Sequence, residues 1–417
     1  MRRVAIVTHG FHTGGGVPAV ARWLRAGLTA TGRYTVDIHD LATWSRDPNS
    51  RRLAVPGTWR RRDLRVADTA ADLSPSEATR DPSTFHWGAN AVEIEFMRYR
   101  PRTGLTRVLR EYDLIQVVCG TAAWAGVADR VGRPVVVQVA TWAAWERAVQ
   151  LSAVGRPLRT WRQAMTAITT RLEKSATKKA SAVLVENDAM VAAVAETGQQ
   201  QVVKAPPGVD TTRFLPPFDG WRKDGYLLSV CRLGDPRKGL DRLIRAYAVL
   251  CAEAEPAPRL VLAGKGPLLP VNRELIEDLK LTQRIDVRTD VPDAGLAELY
   301  QGASVFVQTS HEEGLGMSVL EAMASGLPVV ATDSAGSRET VVDGVTGWRV
   351  PQGADEDVSA EVAKRVRQLL VDGEAASRQA RRRCLDRFSA DATLDLYLGV
   401  YEKLLGSGYE SLKAGVE

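Results

Sequence analysis

The sequence is poor in the features that mark secreted, metal-binding and membrane-spanning proteins. Its four cysteines show neither the paired spacing of a zinc site nor the density of a disulfide framework. They are Cys119, Cys231, Cys251 and Cys384. No apolar run approaches the roughly 18 residues of a transmembrane helix, and no small-residue cleavage site precedes the first predicted strand. These absences favour reduced thiols and predict a cytoplasmic protein that is neither secreted nor membrane-spanning.

The length and composition predict an ordinary globular protein with more than one domain. A chain of 417 residues exceeds what one hydrophobic core usually holds, so we expect two domains. Hydrophobic residues make up 45% of the chain and charged residues 25%, which is typical of soluble globular proteins.

Positive charge is concentrated in the first half of the chain. Residues 1–205 contain 29 Lys and Arg against 18 Asp and Glu, a net charge of +11. Residues 206–417 contain 26 against 32, a net charge of −6. A basic half attracts anionic substrates, lipid headgroups or nucleic acid, and a solubility surface explains the same imbalance equally well.

The first half alternates short apolar runs with helical patterns, as a parallel sheet does. Residues 4–9 form the first predicted strand, and a loop with Gly14, Gly15 and Gly16 follows it, where the backbone can approach a ligand closely. A second strand, Tyr34–Leu41, carries acids near the place of a ribose-binding acid, but the glycine spacing is not GxGxxG, so a dinucleotide site ranks lower. Further strands are predicted at 114–118, 133–140, 182–185 and 202–204, and the alternation at 92–96 admits a strand within a region that we interpret mainly as a solvated loop.

A long helical region is predicted between Trp142 and Lys179, with a break at residues 155–157. Apolar residues recur along it at about helical spacing. They are Trp145, Val149, Leu158, Trp161, Met165, Ile168 and Leu172. Such a stripe either packs on the domain core, which we favour, or lies at a membrane interface.

The second half begins with a hinge and then repeats the alternation of strands and helices. Two consecutive prolines within residues 205–210 end regular structure there. Arg232 follows the next predicted strand, and Lys238 stands just before an amphipathic helix. Two cations on one strand-to-helix loop, near a helix N-terminus, suit a pyrophosphate group.

The most informative stretch follows a predicted buried strand, Ser304–Gln308. Its loop contains Glu313 and a Gly-Leu-Gly turn, and a helical pattern begins at Met317. The N-terminus of such a helix offers unpaired backbone N–H groups to an anion such as a phosphate. Glu321 lies eight positions after Glu313, so the two acids reach different parts of a long ligand. A second small-residue loop is predicted at 333–337, and ligands of parallel sheets bind at such loops.

The order of these motifs resembles a known family. The pair Glu313 and Glu321, the run EAMASGLPVVAT and the run ETVVDGVTGWRV are similar to those of the retaining nucleotide-sugar glycosyltransferases of family four, which have the GT-B fold. The resemblance covers nearly the whole chain and is strongest over 205–350. It implies an α/β chain with two doubly wound Rossmann-like domains that face a central cleft, and a C-terminal helix that crosses back to the first domain.

The resemblance also implies domain boundaries. Residues 1–205 would form the N-terminal Rossmann-like domain on the acceptor side, and residues 206–387 the C-terminal Rossmann-like domain on the nucleotide-sugar donor side. Residues 388–417 would supply the helix that packs on the N-terminal domain, followed by a tail.

Site residues follow from the same resemblance. Arg232, Lys238 and Glu313 are expected to be catalytic, because the two cations would hold the donor diphosphate and Glu313 would orient the sugar hydroxyls beside the anomeric carbon. Glu321 is expected to bind the ribose hydroxyls. The full set of expected donor-binding residues is Gly15, Gly16, Val291, Gly314, Leu315, Gly316, Met317, Ser318 and Glu321.

Cofactors and partners are implied as well. No metal ion or other cofactor is expected, because the cations and the helix N-terminus would neutralise the leaving diphosphate. The expected partners are a nucleotide diphosphate sugar and an unidentified acceptor, with peripheral membrane contact through the basic N-terminal domain and no nucleic acid.

One position departs from the family pattern. Ala140 stands where the family commonly has a histidine that approaches the outer hydroxyl of the donor sugar. The departure is compatible with a 6-deoxy or otherwise unusual donor sugar, with a contact from Thr141 or His9, or with a shifted alignment. It also admits a non-catalytic GT-B subunit that binds a nucleotide sugar, although the four intact charged groups of the site favour an enzyme.

Overall fold

The chain folds into two compact units, each with its own sheet and hydrophobic core. The structure is a computed structural model. It describes residues 1–12, 15–43, 47, 49–59, 65–66, 83–91, 93–152, 156–253 and 257–406. The first unit comprises Met1–Arg147, Val154–Pro207 and Thr393–Glu417, and the second comprises Ala148–Ala153 and Gly208–Ala392.

The sheet of the first unit is almost entirely parallel. Its described strands are β1 (Arg2–His9), β2 (Tyr34–Leu41), β3 (Arg65–Val66), β4 (Thr84–Trp87), β5 (Leu114–Val118), β6 (Val135–Val139), β7 (Ala182–Val185) and β8 (Val202–Lys204). They lie in the order β3-β4-β2-β1-β5-β6-β7-β8, and β3 and β4 form the antiparallel pair. The strand order reverses between β1 and β5, so the loops after these strands flank a topological switch point, where parallel sheets bind ligands.

The sheet of the second unit is parallel throughout its described strands. These are β9 (Tyr226–Arg232), β10 (Leu260–Lys265), β11 (Ile285–Thr289), β12 (Ala303–Gln308), β13 (Val329–Thr332) and β14 (Gly347–Val350). Their order is β11-β10-β9-β12-β13-β14, which places the switch point between β9 and β12. All six residues of β12 are buried, because a central parallel strand is covered on both faces.

Helices alternate with the strands in both units. The described α-helices are α1 (Gly16–Ala30), α2 (Thr103–Leu109), α3 (Ala143–Ser152), α4 (Arg156–Lys179), α5 (Asp188–Ala195), α6 (Leu240–Glu253), α7 (Pro270–Asp278), α8 (Asp293–Gln301), α9 (Met317–Ala324), α10 (Ala335–Thr340), α11 (Asp355–Asp372), α12 (Glu374–Phe388) and α13 (Ala390–Leu405). Short 3₁₀ helices occur at Pro56–Thr58, Glu95–Tyr99, Ala122–Ala128 and Pro236–Lys238.

Successive side chains of β1 belong to different hydrophobic clusters, one on each face of the first sheet. Ala5 and Val7 belong to one buried cluster, while Val4 and Ile6 belong to another that includes residues of α1 and α13. This division follows from the two-residue period of a strand, which sends successive side chains to opposite faces.

Buried hydrogen bonds connect the C-terminal helix α13 to the first sheet. The hydroxyl of Tyr397 donates to Oε1 of Gln138 in β6 over 2.7 Å, and that of Tyr401 donates to Oε1 of Gln116 in β5 over 2.8 Å. All four residues are buried, so each pair satisfies polar groups that burial would otherwise leave unpaired. The predicted return of the last helix to the first domain is confirmed.

The alternating stretch at 92–96 is not a strand in its described residues. Glu95–Tyr99 forms a 3₁₀ helix, and Val92 lies outside the described residues. The hydroxyl of Tyr99 donates to Oε1 of Glu95 over 2.9 Å, and Arg147 of α3 pairs with the same carboxylate. A contact between residues four positions apart needs a helical turn, because an extended chain would separate the two side chains.

A second difference concerns the predicted loop at 333–337, where α10 begins at Ala335. Ser334 and Ser337 form a capping box at its start, so two serines that suggest a loop are here a helix signal. The predicted break at residues 155–157 lies partly outside the described residues, and Pro157 belongs to the first turn of α4.

The buried face of α4 differs most from the prediction. Trp161 is 62% exposed and Ile168 37% exposed, so these members of the apolar stripe do not pack on the core. The side chains of Val149 and Leu158 lie outside the described part of the chain. The buried residues of α4 are instead Thr166, Thr169, Glu173, Ala176 and Thr177.

Glu173 explains why a polar face is buried. Its Oε1 accepts hydrogen bonds from Oγ1 of Thr121 over 2.6 Å and from the N–H of Ala143, at the start of α3, over 3.1 Å. Burial raises the pKa of Glu173 to about 7, although these hydrogen bonds oppose the shift. Specific polar partners therefore accompany apolar packing along this helix, where Ala176 belongs to the core cluster and Leu172 packs against it. None of the described helices combines the length and apolar character needed to span a membrane.

Candidate functional site

The loops that follow β9 and β12 lie side by side, because these strands are neighbours at the switch point of the second sheet. Oγ1 of Thr309 donates to the main-chain oxygen of Gly239 over 2.8 Å, and the N–H of His311 donates to the main-chain oxygen of Arg237 over 2.8 Å. Gly239 has a φ of 58°, and a Cβ there would lie 2.2 Å from the main-chain oxygen of Thr309. Glycine is therefore required for the two loops to approach each other.

Lys238 and Glu313, one from each loop, form an ion pair. Nζ of Lys238 donates to Oε2 of Glu313 over 2.6 Å, and the two side chains are 15% and 16% exposed. Nε2 of Gln308 and Oγ of Ser310 also donate to Oε2, each over 3.4 Å. None of these contacts uses Oε1, so one carboxylate oxygen remains available for a ligand.

The ion pair keeps Lys238 charged despite its burial. Burial alone would lower the pKa of the ammonium, but the charge and the hydrogen bond of Glu313 outweigh it and raise the pKa above its usual value. An ammonium has three N–H donors. Glu313 is the one acceptor of Lys238 within the described residues, which leaves two donors for an anion.

The N-terminus of α9 supplies further donors beside Glu313. Its N-cap, Gly316, has a left-handed φ of 88° and makes no side-chain capping bond. The N–H of Val319 donates to the main-chain oxygen of Gly316 over 2.9 Å, and the cap has no side chain to accept the earlier N–H groups of the helix. Gly336 packs against this loop, because its N–H donates to the main-chain oxygen of Glu313 over 2.8 Å. A Cβ on Gly336 would lie 2.7 Å from the main-chain oxygen of Leu315.

Arg232 is held at the edge of the site by an acid of its own loop. Its Nη2 lies 3.0 Å from Oδ2 of Asp235, and its side chain is 58% exposed. Asp235 also bonds both Nε and Nη2 of the buried Arg237, over 3.1 and 2.8 Å. Burial would raise the pKa of Asp235, but the bonds and charge of Arg237, followed by the charge of Arg232, hold it below its usual value. The carboxylate of Asp235 thus stays charged and orients both guanidinium groups.

Glu321 lies on α9, one turn beyond the first, and is oriented by a buried tyrosine. The hydroxyl of Tyr300 donates to Oε2 of Glu321 over 2.7 Å. Burial, followed by the charge and hydrogen bond of Glu321, raises the pKa of Tyr300 well above its usual value, so the hydroxyl remains a donor.

The structure brings together most of the predicted site residues. Arg232, Lys238, Glu313 and the loop 314–318 lie around the ends of β9 and β12. Val291 follows β11, two strands from β9, and is half-buried against the core. Among the described residues, no group of three or more His, Cys, Asp or Glu could hold a metal ion.

The predicted glycine loop belongs to the first unit. Gly15 is the N-cap of α1 with a φ of 125°, a backbone conformation that disfavours other residues. A Cβ on Gly15 or Gly16 would meet nothing within 4 Å, so neighbouring atoms do not require glycine there. Gly14 lies outside the described residues.

Several functional contacts have no counterpart in the sequence prediction. Asp235 and Arg237 were not singled out, although an Asp before a proline is a common start for a helical turn, and Asp235 caps the 3₁₀ helix here. Gln308 and Tyr300 carry no local signal, because both reach the acids only through the packing of strands and helices.

Solved structures with the same fold cover almost the whole chain. Sucrose-phosphate synthase from Thermosynechococcus elongatus matches with a TM-score of 0.69 at 20% identity, over 97% of this chain and 99% of that one. The Anabaena protein HepE in complex with UDP and glucose matches with a TM-score of 0.66 at 17% identity, over 97% and 100%. The pneumococcal O-GlcNAc transferase GtfA, in complex with UDP and GlcNAc, matches with a TM-score of 0.67 at 14% identity, over 97% and 99%. The chain therefore has the GT-B fold, as expected.

Sequence comparison finds a family match within the second unit. Residues 217–383 match the model of the glycosyl transferases group 1 family. A putative glycosyltransferase, EpsD, from Bacillus subtilis is 34% identical over 206 residues, 46% of this chain and 52% of that protein. A GDP-mannose-dependent alpha-(1-6)-phosphatidylinositol monomannoside mannosyltransferase from Mycolicibacterium smegmatis is 36% identical over 188 residues, 41% and 48% of the two chains. The chain spans about half the length of these relatives.

Replacing Gly239 with alanine should separate the two loops of the site. A left-handed alanine costs about 1–2 kcal/mol, and the clash with the main-chain oxygen of Thr309 should add about 1–3 kcal/mol. The matched control is Gly220→Ala, because Gly220 also has a positive φ, of 85°, but its Cβ would meet nothing within 4 Å. Thermal unfolding measures both variants, and equal losses of stability would contradict the close approach.

Proposed function

We propose that the protein is a retaining glycosyltransferase that moves a sugar from a nucleotide diphosphate donor to an acceptor hydroxyl. The observation that carries this proposal is the buried pair of Lys238 and Glu313 beside the uncapped N-terminus of α9. It combines donors for a diphosphate with an acid that keeps one oxygen for a neighbouring sugar.

The diphosphate would be neutralised by protein groups alone. Lys238 has two donors left for phosphate oxygens, Arg232 is exposed and oriented by Asp235, and α9 offers backbone N–H groups at the positive end of its dipole. Preorganised donors of this kind stabilise charge that develops on a leaving group. No metal ion is needed in this proposal.

The sugar transfer would take place on one face of the donor. The bond from the anomeric carbon to the donor phosphate oxygen breaks, the bond to the acceptor oxygen forms on the same face, and the acceptor proton passes to the leaving phosphate. Oε1 of Glu313 would bind the sugar hydroxyls beside the anomeric carbon, and Glu321 the ribose hydroxyls. Burial raises the pKa of the Cys231 thiol to about 12, and the proposal assigns it no role as a nucleophile.

The match of residues 217–383 to a glycosyltransferase family model supports the proposal. The relatives and fold neighbours differ in donor, since one relative is described as GDP-mannose-dependent and two of the neighbours contain UDP. The rival proposal, a non-catalytic subunit that binds a nucleotide sugar, predicts binding without product.

The donor sugar is proposed from the departure at Ala140, which directly follows β6. A methyl group there offers no hydrogen bond to an outer hydroxyl, and leaving such a hydroxyl unpaired costs about 1–3 kcal/mol. The neighbouring Trp142 is 5% exposed and packs in the core, so Ala140 carries this hypothesis alone. A 6-deoxyhexose, or a pentose, would suit the site better than glucose.

Peripheral membrane contact is proposed on the exposed face of α4. Trp161 and Ile168 are exposed there, and Arg162, Arg171 and Lys174 are exposed on the same helix. Exposed tryptophan with nearby cations suits the interface of an anionic bilayer. The net charge of +11 on residues 1–205 is opposite in sign to that of an anionic bilayer.

We expect nucleotide binding that survives removal of divalent metal. Arg232→Ala and Lys238→Ala should each weaken nucleoside diphosphate binding by about 1.5–3 kcal/mol, because each removes a charge-assisted contact. Glu313→Gln should lower turnover while leaving nucleoside diphosphate affinity nearly intact, because its ligand is the sugar. Calorimetry with a panel of nucleoside diphosphates, with and without chelator, measures the affinities, and product detection with nucleotide sugars measures turnover.

The controls for this experiment are Arg378→Ala and Lys364→Ala, exposed cations on α12 and α11 that lie outside the site. Loss of all binding on chelation would overturn metal independence. Normal binding without product from any nucleotide sugar would favour the non-catalytic subunit. Loss of nucleotide binding in a folded Glu313→Gln variant would reverse the roles of the two acids.

The donor-sugar hypothesis predicts a preference in direct competition. With a hexose donor and its 6-deoxy analogue on the same nucleotide, we expect the 6-deoxy sugar to be transferred faster. Ala140→His should shift the preference toward the hexose, because an imidazole restores a hydrogen-bonding partner. A clear preference of the unmodified protein for the 6-hydroxylated sugar would show that the hypothesis is wrong.

The membrane proposal predicts co-sedimentation with anionic vesicles and not with zwitterionic ones. The double variant Trp161→Ala, Ile168→Ala should bind several-fold more weakly, because it removes apolar area from the contact. Phe218→Ala is the matched control, since Phe218 is fully exposed but lies in the second unit. Equal vesicle binding by the unmodified protein, the double variant and Phe218→Ala would contradict the assignment of membrane contact to α4.

A further inference from the structure

Gln352, in the segment after β14, ties together the two loops that follow β12 and β13. Its Nε2 lies 3.1 Å from the main-chain oxygen of Ser310 and 3.0 Å from that of Asp333, and 3.4 Å from that of His311. One carboxamide therefore donates to main-chain acceptors in both loops.

Arg242 decides which way this carboxamide faces. Nη1 of Arg242 donates to Oε1 of Gln352 over 2.7 Å, and Nε of Arg242 donates to Oδ1 of Asp355 over 2.6 Å. The side chain of Arg242 is 6% exposed, so its position is set by packing on α6. Because a guanidinium can only donate, the oxygen of Gln352 must face Arg242, and its NH₂ group must face the main-chain oxygens.

The two loops meet at the backbone of Glu313. Ser310 precedes Glu313 by three residues, its main-chain oxygen also accepts from Oγ1 of Thr332 over 2.6 Å, and its Oγ donates to Oε2 of Glu313 over 3.4 Å. On the other side, Gly336 follows Asp333 by three residues and donates to the main-chain oxygen of Glu313 over 2.8 Å. Gln352 thus fixes both supports of Glu313 without touching its carboxylate.

We propose that Gln352, oriented by Arg242, is a positioning residue that holds Glu313 in place for sugar transfer. The proposal rests on the proposed function, because it assigns Gln352 to the same site. It assigns no role in binding the diphosphate, since no contact of Gln352 reaches Arg232 or Lys238 within the described residues.

The test is the substitution Gln352→Glu. Glutamate has the same shape and still accepts from Arg242, but it has no donor and turns a carboxylate toward three main-chain oxygens. We expect turnover to fall on the order of ten- to a hundredfold, because small displacements of a positioning group have effects of this size. Nucleoside diphosphate affinity should change less than about twofold, since the change acts on the transition state. Gln352→Met, which removes both contacts, should lower turnover in the same way.

A matched control and a double variant separate positioning from general damage. Gln368→Glu changes the same residue type on α11, where Oε1 of Gln368 accepts from Nη1 of Arg365 at the surface over 3.0 Å, and it should leave turnover unchanged. If Gln352 acts through Glu313, the variant Glu313→Gln, Gln352→Glu should turn over no more slowly than Glu313→Gln alone. Additive losses, a loss of nucleotide affinity as large as the loss of turnover, or unchanged turnover in Gln352→Glu would each overturn the proposal.

Hydrogen exchange keeps this test independent of the proposed activity. The amide of Gly336, which donates to Glu313, should exchange faster in Gln352→Glu than in the unmodified protein, and Gln368→Glu should not change it. Faster exchange without any turnover by the unmodified protein would support the positioning contact while the proposed function fails. Unchanged exchange would overturn the positioning contact itself.

Discussion

The ion pair between Lys238 and Glu313 is the contact on which the candidate site depends. It is mostly shielded from water, so either group alone would be an uncompensated buried charge, and loss of one partner from such a pair is strongly destabilising. The pair forms because β9 and β12 are neighbours at the switch point, and because Gly239 admits the backbone of Thr309 at a distance that no other residue allows. Sheet topology, a single glycine and one ion pair therefore determine together where the acid and the cation stand.

The cations of the site are paired with acids. Arg232 and Arg237 share the carboxylate of Asp235, and Lys238 is paired with Glu313. These cations are held in place by acids of the same two loops, so less side-chain entropy is lost when an anion binds. The two arginines that contact Asp235 have unequal roles. The exposed Arg232 can turn toward a phosphate, whereas the buried Arg237 stays with Asp235.

Buried polar contacts recur in the first unit. Glu173 of α4 joins the loop after β5 to the start of α3, while Tyr397 and Tyr401 attach α13 to glutamines of the central strands. The periodicity of apolar residues does not indicate such polar contacts. The apolar stripe of α4 predicts the buried face only in part for this reason: Leu172 packs against the core, but Trp161 points to solvent and Glu173 is buried with its partners.

The sequence by itself determined the α/β class, most strand positions and the helix that begins at Met317. These features depend on local information, namely apolar runs and glycine turns. Only the tertiary structure decided which groups meet. Gln352 reaches Ser310 and Asp333 from the segment after β14, Tyr300 reaches Glu321 from another helix, and Glu95 of the 3₁₀ helix pairs with Arg147 of α3. Such contacts join residues far apart in the chain, so their energy is gained only once the sheets have formed, and no local pattern records it.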